Sequence, residues 1–216
     1  MDAPRNPLEE LLVQLADKTI TMMKMAREAF VKQRASLVER VLAVGQEVHR
    51  AEKVVVARLV PGSGDHSADA EKIFVPMHLE RIGDNIEAFA RAVERQAKDG
   101  VVFTDRAMSE IDRLLEKATE LLEATRDILR TGNRTLVHHV LTDGPCFQAT
   151  ATEFASFHQE RLIQGLCLPR ASSIYLAMVD YLRGVERHQR EIVKKVSGQA
   201  RPAQAGSAVR GPTQVT

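Results

Sequence analysis

Apolar residues recur along most of this chain at alternating steps of three and four positions, the spacing of a helix with one buried face. In residues 77–94 this stripe consists of Leu79, Ile82, Ile86, Phe89 and Val93. Comparable stripes lie at 8–30, 37–55, 111–129, 147–162 and 174–196. The pattern predicts an all-α chain of six helices.

Turn-forming residues mark the ends of these helices. Asn6 followed by Pro7 predicts the start of the first helix, and Ser36 with Glu39 has the form of a capping box for the second. Residues 61–65 read Pro-Gly-Ser-Gly-Asp and predict a loop, with the third helix starting near Ser67.

Glycines divide the rest of the chain. Gly100 is expected to cap the third helix, and Gly132 the fourth. Gly144-Pro145 predicts a firm break, so the fifth helix is expected to be short and to end near Leu168-Pro169.

The six predicted helices fall into two groups of three. Short connections between long helices favour antiparallel neighbours. We therefore expect two stacked three-helix bundles, placed end to end, with residues 1–100 in the first and 101–197 in the second. Residues 198–216 are rich in Gly, Pro, Ala, Gln and Ser and predict a disordered tail.

Composition narrows the class of protein. The 216 residues contain 30 Lys and Arg against 29 Asp and Glu, and this balance argues against a nucleic-acid binder. Two cysteines are too few for a disulfide framework. No apolar run approaches the ~20 residues of a membrane span, and the polar N-terminus is unlike a signal peptide. These features predict a cytoplasmic protein.

The candidate chemistry lies in the third helix, where Glu80 and Asp84 are one turn apart outside the apolar stripe. Their repulsion destabilises an isolated helix by a few tenths of a kcal/mol, and Gly83 between them costs about 1 kcal/mol relative to alanine. Gly83 is expected to leave room beside the carboxylates. A bound cation would offset the repulsion. The alternative is an ordinary charged face, with Asp84 paired to Arg81, and Glu87 to Arg91.

The segment Leu79-Glu-Arg-Ile-Gly-Asp84, in an all-helical chain with two three-helix halves, resembles the PhoU family of cytosolic regulators of bacterial phosphate uptake. The resemblance covers about residues 8–197 in architecture and is specific over 77–93. It implies that Glu80 and Asp84 correspond to the acidic pairs with which this family holds iron or other metal ions. It also implies a phosphate transporter or a sensor kinase as partner, and we expect a homo-oligomer such as a dimer.

Two histidines are further candidate metal ligands. His49 of the second helix could face the same groove as Glu80, and an imidazole beside carboxylates would favour iron or zinc over a hard divalent cation. In the sixth helix the resemblance aligns Gly184 and His188 with the expected acids, so a second metal site is expected to be lost or remodelled. The phase of His188 within its apolar stripe fits a hydrogen-bonded core histidine better.

Motifs of catalysis are missing from the sequence. It has no Gly-rich phosphate loop, GxSxG elbow or HExxH string, and no Glu-x-x-His of a di-iron bundle. We therefore expect a non-enzymatic regulator that uses a metal to bind its partner. Two alternatives stay open: a helical interaction module without metal, and a histidine phosphotransfer protein with His49 as phosphoacceptor on a four-helix bundle.

Overall fold

The computed structural model describes residues 7–59 and 73–198, and this part of the chain is all-α, as predicted. Its helices are α1 Pro7–Val31, α2 Ser36–Leu59, α3 Phe74–Lys98, α4 Asp105–Thr131, α5 Arg134–Ile163 and α6 Pro169–Val196. The predicted cap at Asn6, the loop at 61–65, the helix start near Ser67 and residues 199–216 of the predicted tail lie outside the described residues.

The predicted glycine stops are confirmed. Gly100 and Gly132 have φ angles of 63° and 62°, in the left-handed region that ends helices. Directly after Gly132, the Oδ1 atom of Asn133 accepts hydrogen bonds from the backbone N–H groups of Thr135 and Leu136. α4 and α5 are therefore joined by a tight connection that forces them to run antiparallel.

The predicted break at Gly144-Pro145 is wrong, because α5 continues through both residues. Proline at this position removes one helical hydrogen bond. Gly144, however, is buried where α5 approaches α6, and a methyl group there would collide with the carboxylate of Glu186. Packing of α5 against α6 outweighs the tendency of Gly144-Pro145 to end a helix, because most helical stability in proteins comes from tertiary packing.

The two halves lie side by side rather than end to end as expected. α3 packs against α6 and α1 against α4. Along the α3–α6 seam, Arg170 pairs with Asp99 at 2.9 Å near one end, and Lys195 lies 4.8 Å from the centre of the Phe74 ring at the other. This arrangement leaves α2 and α5 on the outer flanks.

The width of the buried faces explains this arrangement. α1, α3, α4 and α6 each bury 10 to 13 residues, whereas α2 and α5 bury 7 and 6. A helix that buries so much surface must be covered from more than one side, and the opposite half provides the second cover. The boundary predicted at residue 100 falls in the connection between α3 and α4, and the division into domains at 1–100 and 101–197 stays a prediction.

Within the described ranges, none of the helices combines the length and apolar character that a membrane span requires. The six-helix fold also differs from the four-helix bundle that a histidine phosphotransfer protein would need.

Candidate metal site in the first half

α2 and α3 approach each other closely beneath the predicted site. Gly83 is buried against Val48, and a methyl group at Gly83 would lie 3.3 Å from the Cγ1 atom of Val48. Gly83 thus allows the two helices to pack closely, and it also lines the cavity beside Glu80 and Asp84.

The glycine that makes room for a carboxylate is Gly45 of α2. A methyl group there would collide with the carboxylate of Glu87. Glu87 therefore lies across the α2 backbone, with 27% of its side chain exposed. Sequence reasoning treated Glu87 only as the partner of Arg91. The spacing of residues 80, 84 and 87 on one helix face was the signal that could have placed it in the site.

These side chains line a cavity of about 420 Å³ between α2 and α3. The Nδ1 atom of His49 lies 3.3 Å from Oε1 of Glu80, so the predicted juxtaposition of these two residues is present. Arg81 lies on the outer side, 3.2 Å from Oδ2 of Asp84 and 3.8 Å from Oε2 of Glu80. The roles of Glu80, Asp84 and His49 as metal ligands stay predictions.

Negative charge in this groove is only partly compensated. Burial raises the pKa of the Glu87 carboxyl, and the nearby carboxylates of Asp84 and Glu80 raise it further against the opposing effects of Arg91 and His49. The Arg91 guanidinium is 3.9 Å from Glu87, a loose contact. Three carboxylates and an imidazole suit a divalent cation or iron, which would relieve the repulsion among the carboxylates.

The donor atoms of this groove are not gathered around one point. In the part of the chain that the structure describes, one trio of acidic and histidine side chains brings its donor atoms within 4.8 Å of one another, and it comprises Glu120, His139 and Asp143. A cation in the α2–α3 groove would therefore have to draw Glu80, Asp84 and Glu87 inward and displace Arg81.

The trio of Glu120, His139 and Asp143 escaped sequence reasoning, which assigned no chemistry to His139. His139 and Asp143 share one face of α5, and α4 contributes Glu120. The Nζ atom of Lys117 lies 2.9 Å from Oε1 of Glu120 and 2.7 Å from Oδ2 of Asp143. Because the lysine ammonium already bridges both carboxylates, this trio belongs to an ion-pair network within the protein.

The α5–α6 groove repeats the plan of the α2–α3 groove. Gly144 faces Glu186 as Gly45 faces Glu87, and each residue of the second pair lies 99 positions after its counterpart in the first. The same offset places Gln148, Val179 and Arg183 at the positions of His49, Glu80 and Asp84.

The charged side chains of the α5–α6 groove are paired by hydrogen bonds within the groove. Glu186 is 1% exposed and accepts a 2.9 Å hydrogen bond from Nε of Arg190 and another from the Gln148 amide. Nε of Arg183 in turn donates to Oε1 of Gln148 at 3.0 Å. This donor set does not fit a metal ion, and the expected loss or remodelling of a second site stays a prediction.

The alignment of Gly184 and His188 with a second acidic pair is corrected by their position. Gly184 is buried against Asn85 of α3, and Nδ1 of His188 lies 3.0 Å from Nδ1 of His78, also on α3. Both residues therefore face the first half of the molecule across the seam, outside the α5–α6 groove. His188 is a hydrogen-bonded and partly buried histidine, the arrangement that its phase in the sequence favours.

A comparison with protein families gives a match over the region that contains the α2–α3 groove. Residues 12–93 match the family model described as the PhoU domain. This region is therefore similar to a PhoU domain. The resemblance inferred from the segment around Glu80 and Asp84 is thereby confirmed. The match of the PhoU domain covers most of α1 to α3.

Solved structures extend the likeness to both halves. PhoU from Pseudomonas aeruginosa superposes with a TM-score of 0.80 at 14% identity, over 88% of this chain and 93% of that one. The phosphate transport system regulatory protein PhoU from Streptococcus pneumoniae gives 0.76 at 12% identity, over 88% and 91%. A PhoU-like protein from Shewanella oneidensis gives 0.62 at 10% identity, over 91% and 97%. At these identities the likeness shows a common fold. Comparison with curated proteins gives no significant match.

Proposed function

We propose that this protein is a PhoU-like regulator of phosphate transport that acts by binding a partner rather than by catalysis. Support comes from the match to the PhoU domain over residues 12–93 and from the common fold with two structures titled PhoU, one of them a phosphate transport system regulatory protein. The partner is a phosphate transporter or a sensor kinase. The protein acts in the cytoplasm as a homo-oligomer, a state that light scattering after size exclusion tests directly.

The mechanism rests on the under-compensated acidic groove between α2 and α3. Glu80, Asp84 and Glu87 would hold a divalent or iron cation, with His49 supplying a nitrogen ligand. The bound cation supplies positive charge and fixes the side chains around it. Regulation then depends on whether this ordered, neutralised face can dock on the partner.

One observation favours a second candidate, a helical interaction module without metal. Arg81 already contacts Glu80 and Asp84, at 3.8 and 3.2 Å, so the acidic face has a cation of its own. The pairs of Asp84 with Arg81 and of Glu87 with Arg91, which the sequence offered as the alternative to a site, are both present.

Metal analysis separates these two candidates. We expect wild-type protein loaded with Mn²⁺ or Fe²⁺ to retain the ion after gel filtration, and the Glu80→Gln plus Asp84→Asn variant to lose it. The matched control is Glu120→Gln plus Asp143→Asn, which removes two acids of the Lys117 network and should leave uptake unchanged. Equal metal content in wild type and the Glu80/Asp84 variant would favour the metal-free module.

A second experiment tests regulation independently of metal content. Cells that carry or lack the gene are shifted from low to high phosphate, and the uptake of labelled phosphate is measured. We expect deletion to abolish the repression of uptake at high phosphate, and wild-type protein to restore it. Unchanged uptake after deletion would overturn the regulatory role even if the groove binds metal.

A further inference from the structure

Two histidines face each other across the seam between α3 and α6. The Nδ1 atoms of His78 and His188 are 3.0 Å apart, and the centres of the two rings are separated by 5.3 Å. Both side chains are partly buried. This pair connects the two halves of the molecule and takes no part in the acidic groove between α2 and α3.

The 3.0 Å contact between the two Nδ1 atoms requires that at least one of them is unprotonated. Burial lowers the pKa of His78, and burial together with the neighbouring His78 lowers the pKa of His188 to about 4. One Nδ1–H donates to the other Nδ1, whose lone pair accepts. Neutral imidazole is also the form that binds metal ions.

The separation of the two nitrogens matches that of two ligands on one metal ion. Zinc binds imidazole nitrogen at about 2.0–2.1 Å, which places two nitrogens of a tetrahedral or somewhat narrower arrangement about 3.0–3.4 Å apart. An ion could therefore enter between the two rings with little movement of the helices.

We propose that His78 and His188 chelate a transition-metal ion such as Zn²⁺ through their Nδ1 atoms, and that this ion clamps α3 to α6. Two metal–nitrogen bonds replace the single hydrogen bond between the rings. The proton on the donating Nδ1 moves to Nε2 of the same ring, so that both histidines bind as neutral Nε2–H tautomers without net proton release.

The surrounding charges define the rest of the site. Arg81 and Arg187 act on His188, Lys195 acts on His78, and these positive groups would also oppose a bound cation. Glu191 lies one turn beyond His188 on α6, and its negative charge raises the pKa of both histidines against the effect of these positive groups. Its carboxylate now pairs with Lys194 at 2.7 Å. Its donor atoms and those of the two imidazoles are not all within 4.8 Å of one another. We therefore assign Glu191 as a third ligand that must leave the ion pair with Lys194 and move toward the imidazoles when the metal binds.

This site differs from the acidic groove in chemistry and in consequence. Two nitrogens and one carboxylate favour zinc and similar borderline ions, whereas three carboxylates with a single imidazole favour iron and harder cations. An ion between α3 and α6 would stabilise the seam between the halves, whereas an ion in the groove acts within one half. The inference does not depend on the proposed function.

The test is zinc-dependent stabilisation of the full chain, followed as the melting temperature with and without Zn²⁺. At a zinc concentration 100-fold above the dissociation constant, wild type should melt about 5–10 °C higher. His188→Gln and His78→Gln should each lose this rise, and Glu191→Gln should weaken zinc binding. Co²⁺ added to wild type should give the visible absorption of a nitrogen-ligated site, and both histidine variants should lose it.

Two controls address other sites and folding. The Glu80→Gln plus Asp84→Asn variant and His139→Gln should keep the zinc-dependent rise, since neither removes a ligand proposed at the α3–α6 seam. Circular dichroism and the metal-free melting temperature verify that each histidine variant folds. An undiminished rise in folded His188→Gln or His78→Gln, or a rise that only His139→Gln abolishes, would overturn the proposal.

Discussion

The α2–α3 and α5–α6 grooves have the same backbone plan and opposite electrostatics. In each, a glycine on the outer helix allows a glutamate of the inner helix to lie against its backbone: Gly45 with Glu87, and Gly144 with Glu186. Glu87 remains partly exposed among other acids, whereas Glu186 is 1% exposed and held by Arg190.

Three matched positions account for the difference. His49, Glu80 and Asp84 of the first groove correspond to Gln148, Val179 and Arg183 of the second. The glycine–glutamate contact thus belongs to helix packing, and the residues around it decide how far the negative charge of the groove is compensated. Among the described residues, only in the first groove do the carboxylates outnumber the arginines that contact them.

The largest expected difference between the grooves comes from removing the two glutamates. Glu186→Ala should lower the free energy of unfolding by about 2–3 kcal/mol, because Arg190 would lose its partner in a mostly buried position. Glu87→Ala should cost less than about 1 kcal/mol. Urea unfolding of both variants measures the contrast, and equal losses would show that the second groove is no better satisfied than the first.

The next largest difference in stability is expected from replacing the two glycines with alanine. Gly144→Ala should destabilise the protein by about 1–3 kcal/mol, because the buried Glu186 is fixed by its hydrogen bonds and cannot give way. At Gly45→Ala the partly exposed Glu87 can turn toward solvent, and alanine gains up to about 1 kcal/mol in helix propensity. Thermal unfolding compares the two, and a larger loss at Gly45 would contradict the assigned difference in rigidity.

Introducing residues of the second groove into the first should make its negative charge as well compensated as that of the second. His49→Gln plus Asp84→Arg gives the first groove two residues of the second. We expect this variant to lose metal uptake and to gain up to about 1 kcal/mol in stability, because repulsion around Glu87 is replaced by attraction. Metal analysis and urea unfolding measure the two effects, and retained uptake would place the cation elsewhere.

The smallest effect concerns the ionisation of Glu87. Burial raises its pKa in the folded protein above the unfolded value, so its contribution to stability is present below the unfolded pKa and is lost as pH rises through the folded pKa. Glu87→Gln mimics the protonated form. It should therefore match wild type in stability near pH 4 and exceed it by roughly 0.5 kcal/mol or less near pH 7. An advantage confined to the acidic condition would contradict the direction of the shift.

Local sequence signals predicted the helices well. The apolar stripes and the stops at Gly100 and Gly132 reflect contacts within a few residues, and the structure confirms them. The predicted break at Gly144-Pro145 was wrong because its local preference is overcome by contact with α6, a helix that lies far along the chain.

The candidate site was predictable only in part. The spacing of Glu80 and Asp84 placed them on one face, and His49 lies beside Glu80 as expected. The contact of Gly45 with the Glu87 carboxylate depends on how α2 meets α3, and the sequence did not predict it. The same limit hid the pairing of His188 with His78, because it requires knowing that the two halves lie side by side.

The seam between α3 and α6 has a consequence for the origin of the chain. Gly184 lies 99 positions after Asn85 and is its counterpart in the second half of the chain. The two residues lie against each other, as a residue close to a two-fold axis lies against its symmetry mate. A half-length ancestor with this surface would pair with a second copy of itself. Joining two copies in one polypeptide makes their association independent of concentration and releases each copy to change alone. One could then become a rigid support while the other kept its charges for an outside ligand.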